Sequence, residues 1–115
     1  MLIEPRSGKS HNSRRMNGAP DHPKIIGQRL VALRKAFNMR QVDFAKWCGI
    51  STPALANYEV GDRRPEINQM AKIRDKTGIT YEFLLHGDIR GVPVEVADNV
   101  RAALREIDDD QSKGA

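Results

Sequence analysis

The chain has 115 residues, 19 Lys and Arg against 15 Asp and Glu, a formal charge of +4, and 39% hydrophobic residues with aromatics at only 5%. That allows one small, mostly aliphatic core. The single cysteine, Cys48, excludes an internal disulfide and any multi-cysteine zinc site. No apolar run approaches the roughly 18 residues of a membrane span, and the first twenty residues lack the apolar centre of a secretory signal. The expectation is a soluble protein of a reducing, cytoplasmic compartment.

Residues 1–22 are rich in Ser, Gly, Asn, Pro and Arg and nearly devoid of apolar side chains after Ile3. Such a segment cannot bury enough surface to offset its ordering entropy. It reads as a flexible basic arm, either a solvated extension or a source of extra phosphate contacts. Basic residues prevail up to Gly91, whereas from Val92 onward three basic face six acidic.

Helical spacing begins at Ile25. Ile26, Leu30, Leu33 and Phe37 form one stripe, and Asn38 is a reasonable stop. Val42, Ala45 and Cys48, with Phe44 alongside, make a second short helix ended by Gly49, which can take the left-handed conformation. Ser51 reads as the N-cap of a third helix with Pro53 in its first turn, running from Thr52 to Val60 and stopped by Gly61. A basic loop, Asp62-Arg63-Arg64-Pro65, leads to a fourth helix carrying Ile67, Met70, Ala71 and Ile73, ended by Gly78. Thr80 caps a short fifth with Phe83, Leu84 and Leu85. Beyond Gly91-Val92-Pro93 a sixth run carries Val96, Val100, Ala103, Leu104 and Ile107. No strand-like alternation, repeat or heptad pattern is present. The fold class is all-α.

The segment from Gln41 to Gly61 has the layout of a helix-turn-helix. A small residue at Ala45 permits close helix approach, Gly49 supplies positive φ, and Ile50 and Leu55 wedge the second helix against the first. That geometry projects the 52–60 helix from the surface, where its exposed face can enter a major groove.

Three blocks of this sequence, Ile26-Gly27…Arg29-Leu30…Leu33-Arg34, then Gln41…Phe44-Ala45…Gly49-Ile50-Ser51, then Tyr58-Glu59-Val60-Gly61…Pro65, resemble the Xre/Cro-type, lambda-repressor-like DNA-binding domain. Gly78 to Gly87 is similar to that family's fifth helix. The resemblance implies a compact five-helix bundle in residues 23–88, followed by a C-terminal extension, 89–115, with one helix and an acidic tail. It also implies a dimeric transcriptional regulator binding double-stranded DNA. Carried over by position, Thr52, Pro53, Ala54 and Asn57 would read bases, while Arg40, Gln41, Arg63 and Arg64 would hold phosphates. Arg34 and Glu59 would form a partly buried ion pair between the first and third helices.

One departure matters. Arg or Lys reads guanine and Asn or Gln reads adenine, yet of the four base-reading positions only Asn57 offers such a side chain. Thr52 can give one hydrogen bond, and Pro53 and Ala54 can only touch a thymine methyl. Either Asn57 and DNA shape carry recognition, or the helix meets something other than DNA, as in an antitoxin or adaptor that binds a protein partner. The apolar stripe of the sixth run must also be covered, by its own domain, by a second protomer, or by a partner protein.

Other residues that invite a chemical role read as structural. Cys48 lies at an apolar position and fits a core residue. His11, His22 and His86 are scattered, so no metal is expected. Trp47 reads as half-exposed beside the core, and Asp108-Asp109-Asp110 as a solvated tail. No phosphate-cradling glycine loop, paired carboxylates or nucleophile dyad can be assembled, so neither a cofactor nor an enzymatic activity is expected.

Overall fold

The computed structural model describes residues 21–114, with side chains as far as Gln111. The basic arm therefore lies almost wholly outside the described residues. Six helices occupy the described chain and no strand does: α1 (Pro23–Ala36), α2 (Gln41–Cys48), α3 (Thr52–Val60), α4 (Ile67–Thr77), α5 (Tyr81–His86) and α6 (Val94–Gly114). Among the described residues no helix is long and apolar enough to cross a membrane.

Helix α1 is the centre of the bundle, packed against α3, α5 and α6. Its start is fixed by His22, whose Nδ1 accepts a hydrogen bond from the Lys24 amide at 3.1 Å, with Pro23 filling the first turn. Histidine is not among the usual capping residues, so residue type alone does not point to this role. Ile26, Leu30 and Leu33 are fully buried as their spacing predicts. Arg34 and Lys35 end the helix, where cations oppose the partial negative charge of the free carbonyls. Asn38 follows with φ 56°, the left-handed stop expected of it.

Two apolar residues point the other way from the sequence reading. Val42 is 48% exposed, because the inner face of α2 consists of Phe44, Ala45 and Cys48. Ile67 is 61% exposed, since α4 turns Met70, Ile73 and Thr77 inward. Both residues sit in a first turn, where the chain is still entering the bundle and the apolar stripe has yet to meet its neighbour.

The C-terminal run packs on its own chain. Helix α6 lies along α1 with Ala97, Val100 and Ala103 buried in the common core. Val96, Leu104 and Ile107 flank that contact, half-buried. With no proline or glycine after Pro93 until Gly114, the helix continues past the last apolar rung and takes Asp108, Asp109 and Asp110 with it, all exposed. The acidic run is the last part of a helix.

Candidate nucleic-acid interface

The helix-turn-helix geometry comes from a few local choices. Gly49 adopts φ 82° and closes α2. The Ala45 carbonyl then accepts both the Gly49 and the Ile50 amides at 2.9 Å, which absorbs donors and acceptors that the end of the helix would otherwise leave open. Ile50 is buried and turns the chain toward α3. There the Ser51 hydroxyl accepts the Ala54 amide at 3.1 Å and caps the new helix.

Leu55, Tyr58 and Glu59 form the inner face of α3. Ala45 is fully buried, in keeping with its expected role between α2 and α3. A closer approach, however, lies between α1 and α3. A Cβ on Gly27 would sit 2.6 Å from the Tyr58 carbonyl oxygen and nearer still to that of Glu59. Only glycine lets α1 run so tightly across α3. The sequence marks Gly27 in the family resemblance but not what it does.

Of the residues expected to read bases, Pro53 is exposed while Thr52, Ala54 and Asn57 are half-buried. Ala54 rests partly against the core, which reduces what it can offer outward. The Asn57 carbonyl accepts the amides of Asp62 and Arg63 at 3.0 and 3.4 Å, and with Pro65 buried the loop after α3 is folded back against its helix. Arg63 and Arg64 stand exposed on that loop.

The expected phosphate residues differ in their engagement. Arg40 is the N-cap residue of α2 without capping it through its side chain. Its Nε donates instead to Asp43 at 2.9 Å, with both side chains well exposed. That hydrogen bond, aided by the charge of Asp43, holds the guanidinium above its ordinary pKa. Arg64 reaches Asp21 at 3.4 Å, a loose surface pair of small energetic weight. Arg63 makes no side-chain hydrogen bond or ion pair with the described residues. Gln41 is drawn inward, its Nε2 donating to Glu59 Oε1 at 2.8 Å.

Arg34 and Glu59 are paired as expected. Arg34 Nε and Nη2 donate to the two carboxylate oxygens at 2.8 and 3.1 Å, and Nη1 donates to the Met39 carbonyl at 3.0 Å. The Glu59 side chain is 3% exposed and that of Arg34 17%. A two-pronged contact of this kind fixes angle as well as distance, and it joins α1, the α1–α2 loop and α3.

Lys72 was missed by sequence reasoning. From α4 its Nζ donates to the Gly49 carbonyl at 3.4 Å, adding a positive charge at the turn between α2 and α3. Nothing in the sequence separates it from other surface lysines. Trp47 is no open stacking platform: its ring lies 5.2 Å from that of Phe37 and 6.0 Å from that of Phe44. Burial pushes the Cys48 thiol up to about 11, against the opposing pull of Lys76, so it stays protonated near neutrality. An open groove of about 560 Å³ between the α1–α2 loop and α6 places Lys35 and Arg40 opposite Asn99 and Glu106. Among the described residues no three His, Cys, Asp or Glu side chains come together as metal ligands.

Residues 30–84, which hold α2, the turn and α3, match the helix-turn-helix family model. The chain is 29% identical over 63 residues to the SPbeta prophage-derived uncharacterized HTH-type transcriptional regulator YonR of Bacillus subtilis, covering 55% of this chain and 58% of that protein. It is also 28% identical over 64 residues to the uncharacterized HTH-type transcriptional regulator YqaE of the same organism, covering 56% and 55%. The chain thus spans a little over half the length of these curated relatives. No solved structure matches it significantly.

Proposed function

We propose that this protein is a sequence-specific DNA-binding transcriptional regulator of the cytoplasm that acts as a homodimer and presents α3 to the major groove. The observation that carries this reading is the setting of α3. It is capped at its start by Ser51 and braced from behind by Arg34 and Glu59, with exposed arginines on the segments before α2 and after α3. Two relatives named as transcriptional regulators support the same class.

In this reading Arg40, Gln41, Arg63 and Arg64 hold phosphates and set register, while Asn57 and Thr52 read base edges and Pro53 and Ala54 touch thymine methyls. Phosphate contacts position the protein without reading sequence, so much of the specificity falls to Asn57 and to DNA shape. Two protomers would place their α3 helices roughly 34 Å apart on a near-palindromic site.

Selection of bound sequences from random duplex DNA at moderate salt tests this reading directly. An inverted repeat is expected to be enriched. With Arg40, Arg63 and Arg64 of each protomer neutralising a phosphate, the logarithm of affinity falls against log salt with a slope of about −5. Replacing Arg63 and Arg64 with alanine abolishes retention. No enriched sequence together with a slope near zero defeats the proposal.

A second reading, a protein-interaction module such as an antitoxin or adaptor, draws on the poor base-reading chemistry of Pro53 and Ala54. It predicts that the Arg63/Arg64 double variant keeps its partner.

A further inference from the structure

Three donors converge on one buried carboxylate. Glu59 Oε2 accepts Arg34 Nε at 2.8 Å, and Oε1 accepts both Arg34 Nη2 at 3.1 Å and Gln41 Nε2 at 2.8 Å. The guanidinium alone satisfies the charge of Glu59 through paired hydrogen bonds. The third donor is therefore not needed to neutralise the acid. Its effect is on Gln41, the first residue of α2. A carboxylate only accepts, so the amide must turn its nitrogen toward Glu59, with one of its two hydrogens used there.

We infer that Glu59 is a positioning residue for the Gln41–phosphate contact: it binds one amide hydrogen of Gln41, fixes the side chain, and leaves the second hydrogen for a phosphate of the DNA backbone. Glu59 belongs to α3 and Gln41 to α2. The same carboxylate thus ties the phosphate anchor to the reading helix, and the two engage DNA as one rigid unit. A side chain already held in its bound geometry loses less freedom on association. The inference rests on the DNA-binding reading above.

The sign of one substitution separates this role from others. Glu59→Gln removes a negative charge near DNA, which by charge alone strengthens binding. If Glu59 positions Gln41, the same change weakens binding, because the amide that replaces the carboxylate has a single acceptor oxygen for three donors. Gln41 is uncharged and releases no counterions, so its loss lowers affinity without altering the salt slope.

The experiment is fluorescence-anisotropy titration of the full chain against its selected duplex, at a temperature where every variant is folded, with thermal unfolding measured alongside. Gln41→Ala is expected to weaken binding about a hundredfold, the worth of one hydrogen bond to a charged group in each of the two protomers. Glu59→Gln is expected to weaken it by a similar factor and to lower Tm. In the double variant the affinity falls by clearly less than the product of the two single losses, while Tm falls as in Glu59→Gln. Two independent losses that multiply, or a Glu59→Gln protein that binds as tightly as the parent or tighter, overturn the inference while leaving the DNA reading intact. A parent chain that selects no duplex overturns both.

If Glu59→Gln does not fold, the Gln41 side-chain amide in the NMR spectrum of the unsubstituted protein decides the question. Two well-separated hydrogens, one protected from exchange before DNA is added and the other shifting on addition, support the inference. Free-amide shifts with rapid exchange of both overturn it.

Discussion

Helix α3 shares the core through Leu55 and Tyr58 and also meets α1 through the absence of a side chain at Gly27 and through the Arg34–Glu59 pair, whereas α6 lies on the same helix through Ala97, Val100 and Ala103. An apolar stripe buries area but is tolerant of small shifts, because dispersion and hydrophobic contacts have little direction. A paired guanidinium and a backbone approach closed to any Cβ admit one arrangement. The helix proposed to read DNA is held by directional contacts as well as by area, and the added helix is held by area. Polar anchoring need not be the more stabilising of the two, since removing ions from water offsets much of their attraction. What it contributes is a fixed angle of emergence.

That contrast can be broken at four points. Arg34→Met leaves the Glu59 carboxylate buried with Gln41 as its remaining side-chain donor and is expected to cost about 3 kcal/mol of stability, read from urea unfolding, with DNA affinity lost alongside. Gly27→Ala drives a methyl group into the Tyr58 and Glu59 carbonyls. Overpacking of about 3 kcal/mol, less the ~0.5 kcal/mol that alanine gains in a helix, predicts a net loss of about 2.5 kcal/mol. The displaced α3 should also bind its selected duplex more weakly at temperatures where the variant remains folded.

Val100→Ala removes two buried carbons from the α1–α6 contact and is expected to cost about 2 kcal/mol. The contrast sharpens here: with α3 still clamped, affinity per folded molecule stays at the parent value in the same titration. Ser51→Ala deletes the cap of α3 and is expected to cost about 1 kcal/mol. Its largest mark is faster amide exchange at Ala54, whose partner is gone. If Val100→Ala weakens DNA binding as much as Gly27→Ala does, the division of labour between the two helices is wrong.

Much of this architecture was written locally. The glycines at 49, 61 and 78 end α2, α3 and α4 in left-handed conformation, and Ser51 and Thr80 cap where their side chains lead one to expect. Cap and stop signals act within a few residues, so a single sequence displays them. Val42 and Ile67 were misread because a regular stripe cannot tell which apolar residue of a first turn has a neighbour to bury against. The destination of the α6 stripe was equally hidden, since a second protomer would bury the same side chains as α1 does.

The least legible contacts join residues far apart in the chain. The Arg34–Glu59 pair was reachable through resemblance, but the Gln41–Glu59 bond and the Gly27 approach depend on how α1, α2 and α3 cross. That crossing is a property of the packed bundle. Of the expected site residues, Arg63 and Pro53 stand open on the surface, Arg40 and Arg64 are already paired with acids, and Ala54 is partly turned to the core. Single-residue chemistry could not anticipate which would be engaged.

Ile107 is the last rung at which α6 leans on the core, yet the helix winds on to Gly114. Over that stretch Asp108, Asp109 and Asp110 stand exposed, with no apolar side chain among them. Among the described residues the helix thus has no core contact past Ile107. Deuterium uptake should therefore sweep inward along α6 from its tip and halt near Leu104, making this helix a graded spring with one end anchored.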